Sequence, residues 1–473
     1  MADSSEHLKL AFYGDDFTGS TDALEVLAFA GMRVALFIDS PTPSAIARVG
    51  TLDAIGMAGD SRAMSPKEMD ERLPPVFDAL ARCGAAIVHY KVCSTFDSAK
   101  TIGSIGHAMR IARRHFGDGC IPVVGGTPAL KRYCAFANLF ARSATDDRIH
   151  RIDRHPIMRA HPLTPMHESD LCILLGTQGE FDVESFGFPD LEQGEEHAQS
   201  HLEALLRQQP DAVVLDATSS RHLTQVGRLL DRWASTRPPL FVVGPSGVEY
   251  ALTQWWRESP SWNGAGGHFD HQGTMDIPDC VPAKAPVLAI SGSASPLSSK
   301  QIESAIDGGF EGVAIDSRAM LDDERWTQSA AALVDDVIRR LQQGRSVIVH
   351  TARGPDDPRI GQGIAMLEAR GRSRDDARRE AGGTIGKRLG EAAKSILDRF
   401  ALKRLLLSGG DTSTEIVKAI APIALTIAAR LAPGAPLCRM VSERTGLDGL
   451  EVALKGGQMG APEFFVTATR GTT

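Results

Sequence analysis

Short apolar runs that end in polar, glycine-bearing turns recur along the chain, and most are followed by a segment with helical spacing. The first run, residues 8–13, stops at Gly14; apolar residues then fall at Leu24, Leu27 and Ala28, one face of a helix. Thr18 or Ser20 is placed to cap that helix, and Gly31 falls where a C′ glycine belongs. Further strands are predicted over 33–39, 53–58, 85–92, 120–124, 212–217 and 239–244, and in the second half over 286–290, 346–352 and 404–407. Ser65-Pro66-Lys67-Glu68 spells a capping box with proline at the first helical position, opening a helix that ends near Gly84. Strands alternating with helices predict parallel pairing through right-handed crossovers. Two stretches break the alternation. Residues 151–168, with a proline every few positions, read as a long loop of the kind that often serves function. Residues 259–284, rich in Pro, Gly and Asp, read as a linker. The expected architecture is α/β: two domains, residues 1–258 and 285–473, each a largely parallel sheet flanked by helices.

Composition changes this picture little but excludes several classes. A chain of 473 residues, 42% hydrophobic and 23% charged, can bury large cores and gives no sign of disorder. The net charge of −8, from 51 basic and 59 acidic residues, carries no nucleic-acid footprint. The start of the chain lacks the basic end and apolar run of a signal peptide, and no window approaches the roughly 20 apolar residues of a membrane span. Seven scattered cysteines, odd in number and never spaced Cys-x-x-Cys, fit a reducing compartment and argue against a structural zinc site. A cytoplasmic protein is expected.

The chemistry gathers at strand ends, where open α/β sheets bind ligands. Asp15 and Asp16 follow the first strand, although read alone such a pair could simply cap a helix. With them the first half offers Asp22, Asp97, Arg62, Lys91, Thr18, Ser94 and Thr95. That set suits a small polyhydroxylated acid: cations for its carboxylate, carboxylates and hydroxyls for its OH groups, and one aspartate to take a proton. Lys91 and Asp97 could alternatively form an ordinary surface ion pair. The second half offers glycine turns at residues 291–295, 409–412 and 456–460, two of them after predicted strands; backbone donors at a helix start suit phosphate, although no Walker A loop is present. Residues 366–396, charged but mixed in sign, read as a solvated helical face. His150, His155, His161, His167, His268 and His271 fall mostly on loops, and no His-x-x-x-His pair is read on an evident helix, so no transition-metal site is expected. Cys93 reads as a packed thiol. The adjacency of Asp15 and Asp16 departs from the Asp-x-Asp-x-Thr spacing of aspartyl phosphatases. A kinase, a phosphatase-type hydrolase using Asp15 or Asp16, and a non-catalytic sensor of sugar acid or nucleotide all remain open on these residues.

Taken jointly, Gly14-Asp-Asp-Phe-Thr-Gly19, Tyr90-Lys-Val-Cys-Ser-Thr-Phe-Asp-Ser98, His161-Pro-Leu-Thr-Pro165, Ser291-Gly-Ser293, Ser408-Gly-Gly-Asp-Thr-Ser413 and Ala453-Leu-Lys-Gly-Gly457 resemble the four-carbon acid sugar kinases, in family order and across nearly the whole chain. The resemblance implies ATP-dependent phosphorylation of the terminal hydroxyl of a tetronate-type acid (3-oxo-tetronate, threonate or erythronate). It implies an N-terminal domain that binds the acid, a C-terminal domain that binds ATP, and an active site in the cleft between them. Carried over by position, the nucleotide contacts fall on Ser291, Gly292, Ser293, Gly409, Gly410, Asp411, Thr412 and Gly457. The acid side uses Asp15, Asp16, Thr18, Arg62, Lys91, Ser94, Thr95 and Asp97, with Asp22 beside them. Asp16, or Asp15, would be the base in an in-line transfer assisted by Mg2+, and Lys91 or Arg62 would neutralise the acid. Asp411 stands where the family often has Glu and Thr414 where it often has Gly, and the charged insert near 361–385 is longer than the family pattern. Partners are then a sugar acid and ATP, and an α/β enzyme of this size is commonly a homodimer.

Overall fold

The structure, a computed structural model, describes residues 8–143, 146–161, 164–258, 277 and 280–472. The expected linker therefore lies mostly outside the described residues, as do His268 and His271. The described chain divides into two compact units; Ala35–Asp39 and Ala47–Val49 group with the C-terminal part of the chain. Among the described residues no helix is long and apolar enough to cross a membrane.

The N-terminal stretch holds strands β1 (Leu10–Gly14), β2 (Val34–Phe37), β3 (Ala54–Ala58), β4 (Ile87–Lys91), β5 (Ile121–Val124), β6 (Arg132–Ala135), β7 (Asn138–Arg142), β8 (Ile149–Arg151), β9 (Val183–Phe186), β10 (Ala212–Leu215) and β11 (Leu240–Gly244). In the first unit β3-β1-β4-β11-β5-β10-β9 form one parallel run. Runs such as Leu-Ala-Phe-Tyr-Gly are fully buried, as strands covered on both faces must be. The capping box at Ser65 and Glu68 is present and opens the helix Pro66–Arg82. That helix lays Met69, Leu73, Phe77 and Leu80 into a core shared with Tyr90 and Phe241. The described residues from 152 to 168 stay irregular apart from short 3-10 turns at Ile152–Arg154 and Met158–Ala160. The antiparallel sheet β6-β7-β8 precedes them, an element that the pattern of apolar runs did not predict.

The second unit contains β12 (Leu288–Ser291), β13 (Glu311–Ala314), β14 (Val347–His350), β15 (Arg404–Ser408), β16 (Ala424–Ala432), β17 (Ala435–Val441) and β18 (Glu451–Lys455). Strands β13-β14-β12-β15-β18 are parallel neighbours; β17 and β16 continue antiparallel, and β16 pairs with β2. The charged stretch forms the helices Pro358–Ala369 and Arg374–Arg399, which bury a small patch, Leu367, Ala377 and Ala381, against Leu321. The apolar run after the last glycine turn is the helix Phe464–Arg470.

Candidate active site

Because β3, β1 and β4 lie side by side and parallel, the turns leaving their carboxyl ends meet. Asp16, not Thr18 or Ser20, caps the first helix, Phe17–Phe29. Its Oδ1 accepts from the Gly19 N–H at 2.7 Å and its Oδ2 from the Thr18 hydroxyl at 3.0 Å. Ser20 donates instead to the Asp16 carbonyl. A side chain at position 19 would place its Cβ 2.3 Å from Asp16 Oδ1 and 3.1 Å from Lys91 Nζ, so the turn closes this tightly only on glycine. Capping and site-building thus fall to one carboxylate.

Arg62, in the 3-10 turn Ser61–Ala63, forks onto Asp15 through Nε at 3.2 Å and Nη2 at 2.8 Å, and reaches Asp16 Oδ2 with Nη1 at 2.9 Å. Each guanidinium nitrogen is engaged, with the second hydrogens on Nη1 and Nη2 left over for a ligand. Burial pushes the Asp15 carboxyl above its ordinary value, and Arg62 pulls it back only in part. Asp22 is raised by burial as well.

Lys91 is 2% exposed and sits 3.7 Å from Asp22 Oδ2. Burial works against its ammonium, but Asp22, Asp15, Asp16 and Glu249 together outweigh it and raise its pKa. A surface pair between Lys91 and Asp97 is therefore not what forms. Asp97 is itself buried and accepts from the hydroxyls of Thr95 at 2.6 Å and Thr164 at 3.2 Å. Burial opposes its ionisation, yet Arg62 and the neighbouring donors hold the carboxyl below its usual range. Thr164 ties the irregular segment onto this turn and also contacts His161 Nδ1 at 3.0 Å. Ser94 is half-buried in the same turn. Burial raises the Cys93 thiol to about 11, so it stays protonated and is no nucleophile.

Sequence reasoning missed two groups below this cluster. Glu249, fully buried in the helix Gly247–Glu258, brings Oε1 to 2.6 Å from His89 Nδ1, and His89 Nε2 lies 2.9 Å from the Gly244 carbonyl. Glu249 Oε2 makes no hydrogen bond. A glutamate in the first turn of a helix that follows a strand-end glycine was the available signal.

In the second unit β12, β15 and β18 are neighbours, and the three glycine turns converge on Ser293. A Cβ on Gly292 would lie 1.9 Å from Thr412 Oγ1, one on Gly409 3.3 Å from the Ser293 nitrogen, and one on Gly457 2.3 Å from Ser293 Oγ. Gly409, with φ of 113°, leads into the helix Gly410–Ile420, whose N-terminus has no side-chain cap. Ser295 caps the helix Pro296–Asp307 and donates to the Gly457 carbonyl at 2.5 Å, joining the first turn to the third. The buried hydroxyls of Ser291 and Ser413 have no hydrogen-bond partner. Thr412 is buried, whereas Asp411 is exposed.

Between these turns lies Lys455, the last residue of β18. The side chain is buried, donates to the Gly456 carbonyl at 3.1 Å and lies over the Phe464 ring at 5.8 Å, and among the described residues no carboxylate pairs with it. Burial alone lowers its pKa to about 8. A buried ammonium without a counter-charge is costly unless an anion arrives to pair it. It is the residue of this half that sequence reasoning left among the matching motifs without a role.

One expectation fails outright: a His-x-x-x-His pair does lie on a helix. His197 and His201 stand one turn apart in Glu195–Leu206. Among the described histidines singled out from the sequence, His150 pairs with Asp146 and His155 Nδ1 accepts from the backbone of Ile157 and Met158.

Comparison with known proteins places both halves. The family model of a sugar-binding N-terminal domain matches residues 10–252, and that of a nucleotide-binding C-terminal domain matches residues 288–465. A 3-oxo-isoapionate kinase from Paraburkholderia graminis is 40% identical over 458 residues, 97% of this chain and 93% of the relative. A 3-oxo-tetronate kinase from Cupriavidus necator is 27% identical, covering 98% of this chain and 96% of that protein. The same fold occurs in a solved structure from Salmonella typhimurium LT2, with a TM-score of 0.76 at 22% identity, covering 98% of this chain and 99% of the other. It occurs again in one from Haemophilus influenzae, with a TM-score of 0.69 at 21% identity, covering 97% and 98%.

Proposed function

The chain belongs to the four-carbon acid sugar kinase family, and from that premise we propose that it transfers the γ-phosphoryl group of ATP to the terminal hydroxyl of a 3-oxo sugar acid. The observation that carries this reading is Lys455, a buried ammonium lacking a counter-ion among three glycine turns. A polyphosphate supplies the missing charge. The turns at Ser291–Gly292–Ser293, at Gly409–Gly410–Asp411–Thr412 and at Gly457 offer backbone donors to it, and the partnerless hydroxyls of Ser291 and Ser413 lie in the same turns.

In the other unit the sugar acid lies on the Asp15–Asp16–Arg62 cluster, with Thr18, Ser94, Thr95 and Asp97 around its hydroxyls. Asp16 is the base, because its side chain is 23% exposed whereas that of Asp15 is 6% exposed and clasped by Arg62. The remaining guanidinium hydrogens of Arg62 meet the substrate carboxylate. Lys91 balances Asp22 and the neighbouring carboxylates from below. The Asp411 carboxylate and the Thr412 hydroxyl are oxygen donors of the kind that Mg2+ takes. When bound, Mg2+ neutralises charge on the phosphates.

The test is a coupled ADP-release screen. 3-Oxo-isoapionate comes first, since the 40% identical relative carries that name, followed by 3-oxo-tetronate, threonate and erythronate. ADP release that depends on one of these acids is expected. Cleavage of a phosphoester without ATP would instead favour a hydrolase, and binding without turnover a sensor.

A further inference from the structure

At the edge of the first unit's sheet, β9 runs into the short helix Phe188–Glu192, and Gly194 turns the chain into Glu195–Leu206. This turn brings Asp190 under the two histidines of the second helix. Asp190 Oδ1 lies 3.0 Å from His197 Nε2 and 2.9 Å from His201 Nδ1. The three donor atoms all fall within 4.8 Å of one another. We propose that Asp190, His197 and His201 form a binding site for a borderline divalent transition metal, Zn2+ in the first place.

Three observations carry it. Residues four apart on a helix share a face, so His197 and His201 present both imidazoles to one point. Two nitrogens and a carboxylate oxygen are a donor set that zinc accepts, with bonds of about 2.0–2.2 Å. Donors around a tetrahedral ion at that distance sit about 3.3 Å apart, a few tenths of an ångström from the spacings to Asp190. Finally, His201 Nδ1 is shielded from water yet makes no hydrogen bond, despite its closeness to Asp190 Oδ1. That contact is not aligned as a hydrogen bond, and a metal ion between the two atoms would use the imidazole lone pair instead.

The site is separate from the proposed phosphoryl-transfer chemistry. Strands β4, β11, β5 and β10 stand between β1 and β9, which at sheet spacing is roughly 24 Å. Its nitrogen donors suit Zn2+, Co2+, Ni2+ or Cu2+ and not Mg2+, which takes oxygen. All three side chains are partly exposed, 22% for Asp190, 42% for His197 and 39% for His201, so a fourth position is open to water and the ion can exchange. Bound there, it would fasten the helix Phe188–Glu192 to Glu195–Leu206 across Gly194.

The test uses the full chain, stripped with EDTA and titrated with Zn2+ against a chromogenic chelator in excess Mg2+. One Zn2+ per chain is expected that His197→Ala or Asp190→Asn weakens roughly a hundredfold, with a rise in the thermal midpoint on adding Zn2+ that both variants lose. His197 is on an exposed helical face where alanine favours the helix, and far-ultraviolet circular dichroism of the metal-free variants should match the parent. Zinc bound elsewhere, at cysteines for instance, would persist in the variants. If parent and variants bind Zn2+ alike, or the parent binds none, the three residues are only a hydrogen-bonded cluster and the proposal is overturned.

Discussion

Removing the Arg62 guanidinium would leave Asp15 buried beside Asp16 with its fork of donors gone. Breaking a buried pair on one side costs about 3 kcal/mol or more, so Arg62→Met should lower stability by that order in urea unfolding, and Asp15→Asn on top of it should restore much of the loss. The pH dependence has a definite sign. The folded-state pKa of Asp15 is raised, so the folded protein holds that proton more tightly than the unfolded chain does. Any stability Asp15 contributes is present below its ordinary pKa and fades as pH rises through the folded value. Arg62 counters this shift, so the variant should lose stability more steeply on going from acid to neutral pH than the parent. Asp16→Asn is a different experiment: kcat should fall roughly 10²–10⁴-fold while ATP affinity, measured by titration calorimetry, stays unchanged. Unaltered turnover would take the base role from Asp16. Lys455 gives a third prediction. With a pKa of about 8 in the free protein, it is largely neutral at pH 9. Polyphosphate favours its charged form and raises that pKa, so ATP binding at pH 9 should take up protons. Binding heats should then vary with the ionisation enthalpy of the buffer, and Lys455→Met should abolish the variation; buffer-independent heats in the parent would mean that Lys455 does not meet the phosphates.

Elements decide how tightly the glycine turns of the second unit can close. Gly409 sits at φ 113° and ψ 129°, outside what an L side chain adopts readily, and a non-glycine residue held in so sparsely populated a region costs about 1–3 kcal/mol. Gly409→Ala should therefore cost about that much in urea unfolding, and by shifting the first turn of Gly410–Ile420 it should weaken ATP more than tenfold. Gly292→Ala keeps an ordinary backbone but forces Cβ against the buried Thr412 side chain, so ATP affinity should fall while the sugar-acid half is untouched. If both variants bind ATP like the parent, the turns are structural only. The same elements show what could be read from the chain beforehand. Strand ends carrying Asp15, Lys91, Ser291 and Gly409 were legible because buried parallel strands are short apolar runs closed by glycine or a polar turn. The antiparallel strands β16 and β17 were not. With Arg430 and Arg439 set among their apolar residues, they read as neither a continuous apolar run nor a helix. Glu249 and His89 escaped because their meeting depends on how the last helix of the first unit crosses β4, a tertiary fact. His197 and His201 were legible from spacing, but the run Glu195-Glu-His-Ala-Gln-Ser-His201 has few apolar positions to announce a helix.

For the molecule as a whole, the proposed reaction makes a demand that neither half can satisfy alone: one phosphoryl group must touch Asp16-bound substrate and Lys455-bound nucleotide in the same complex. A compound joining a sugar acid to adenosine through a polyphosphate of suitable length tests this directly. If both ends are held at once, the second contact becomes intramolecular, and effective concentrations in the millimolar range should make the compound bind on the order of a hundredfold tighter than ATP or the acid alone. Each half-site then has its own control. Arg62→Met should reduce the compound to the affinity of ATP, and Gly409→Ala to that of the acid, whereas two sites that never face one another would show affinities no better than the stronger end. Because binding through two ends loses the coupling when either end is lost, the two variants together should do no more damage than the sum of the separate halves allows. A compound that binds no tighter than ATP across a series of tether lengths would remove direct transfer between the two half-sites from the proposed mechanism while leaving each half-site, and its own ligand, in place.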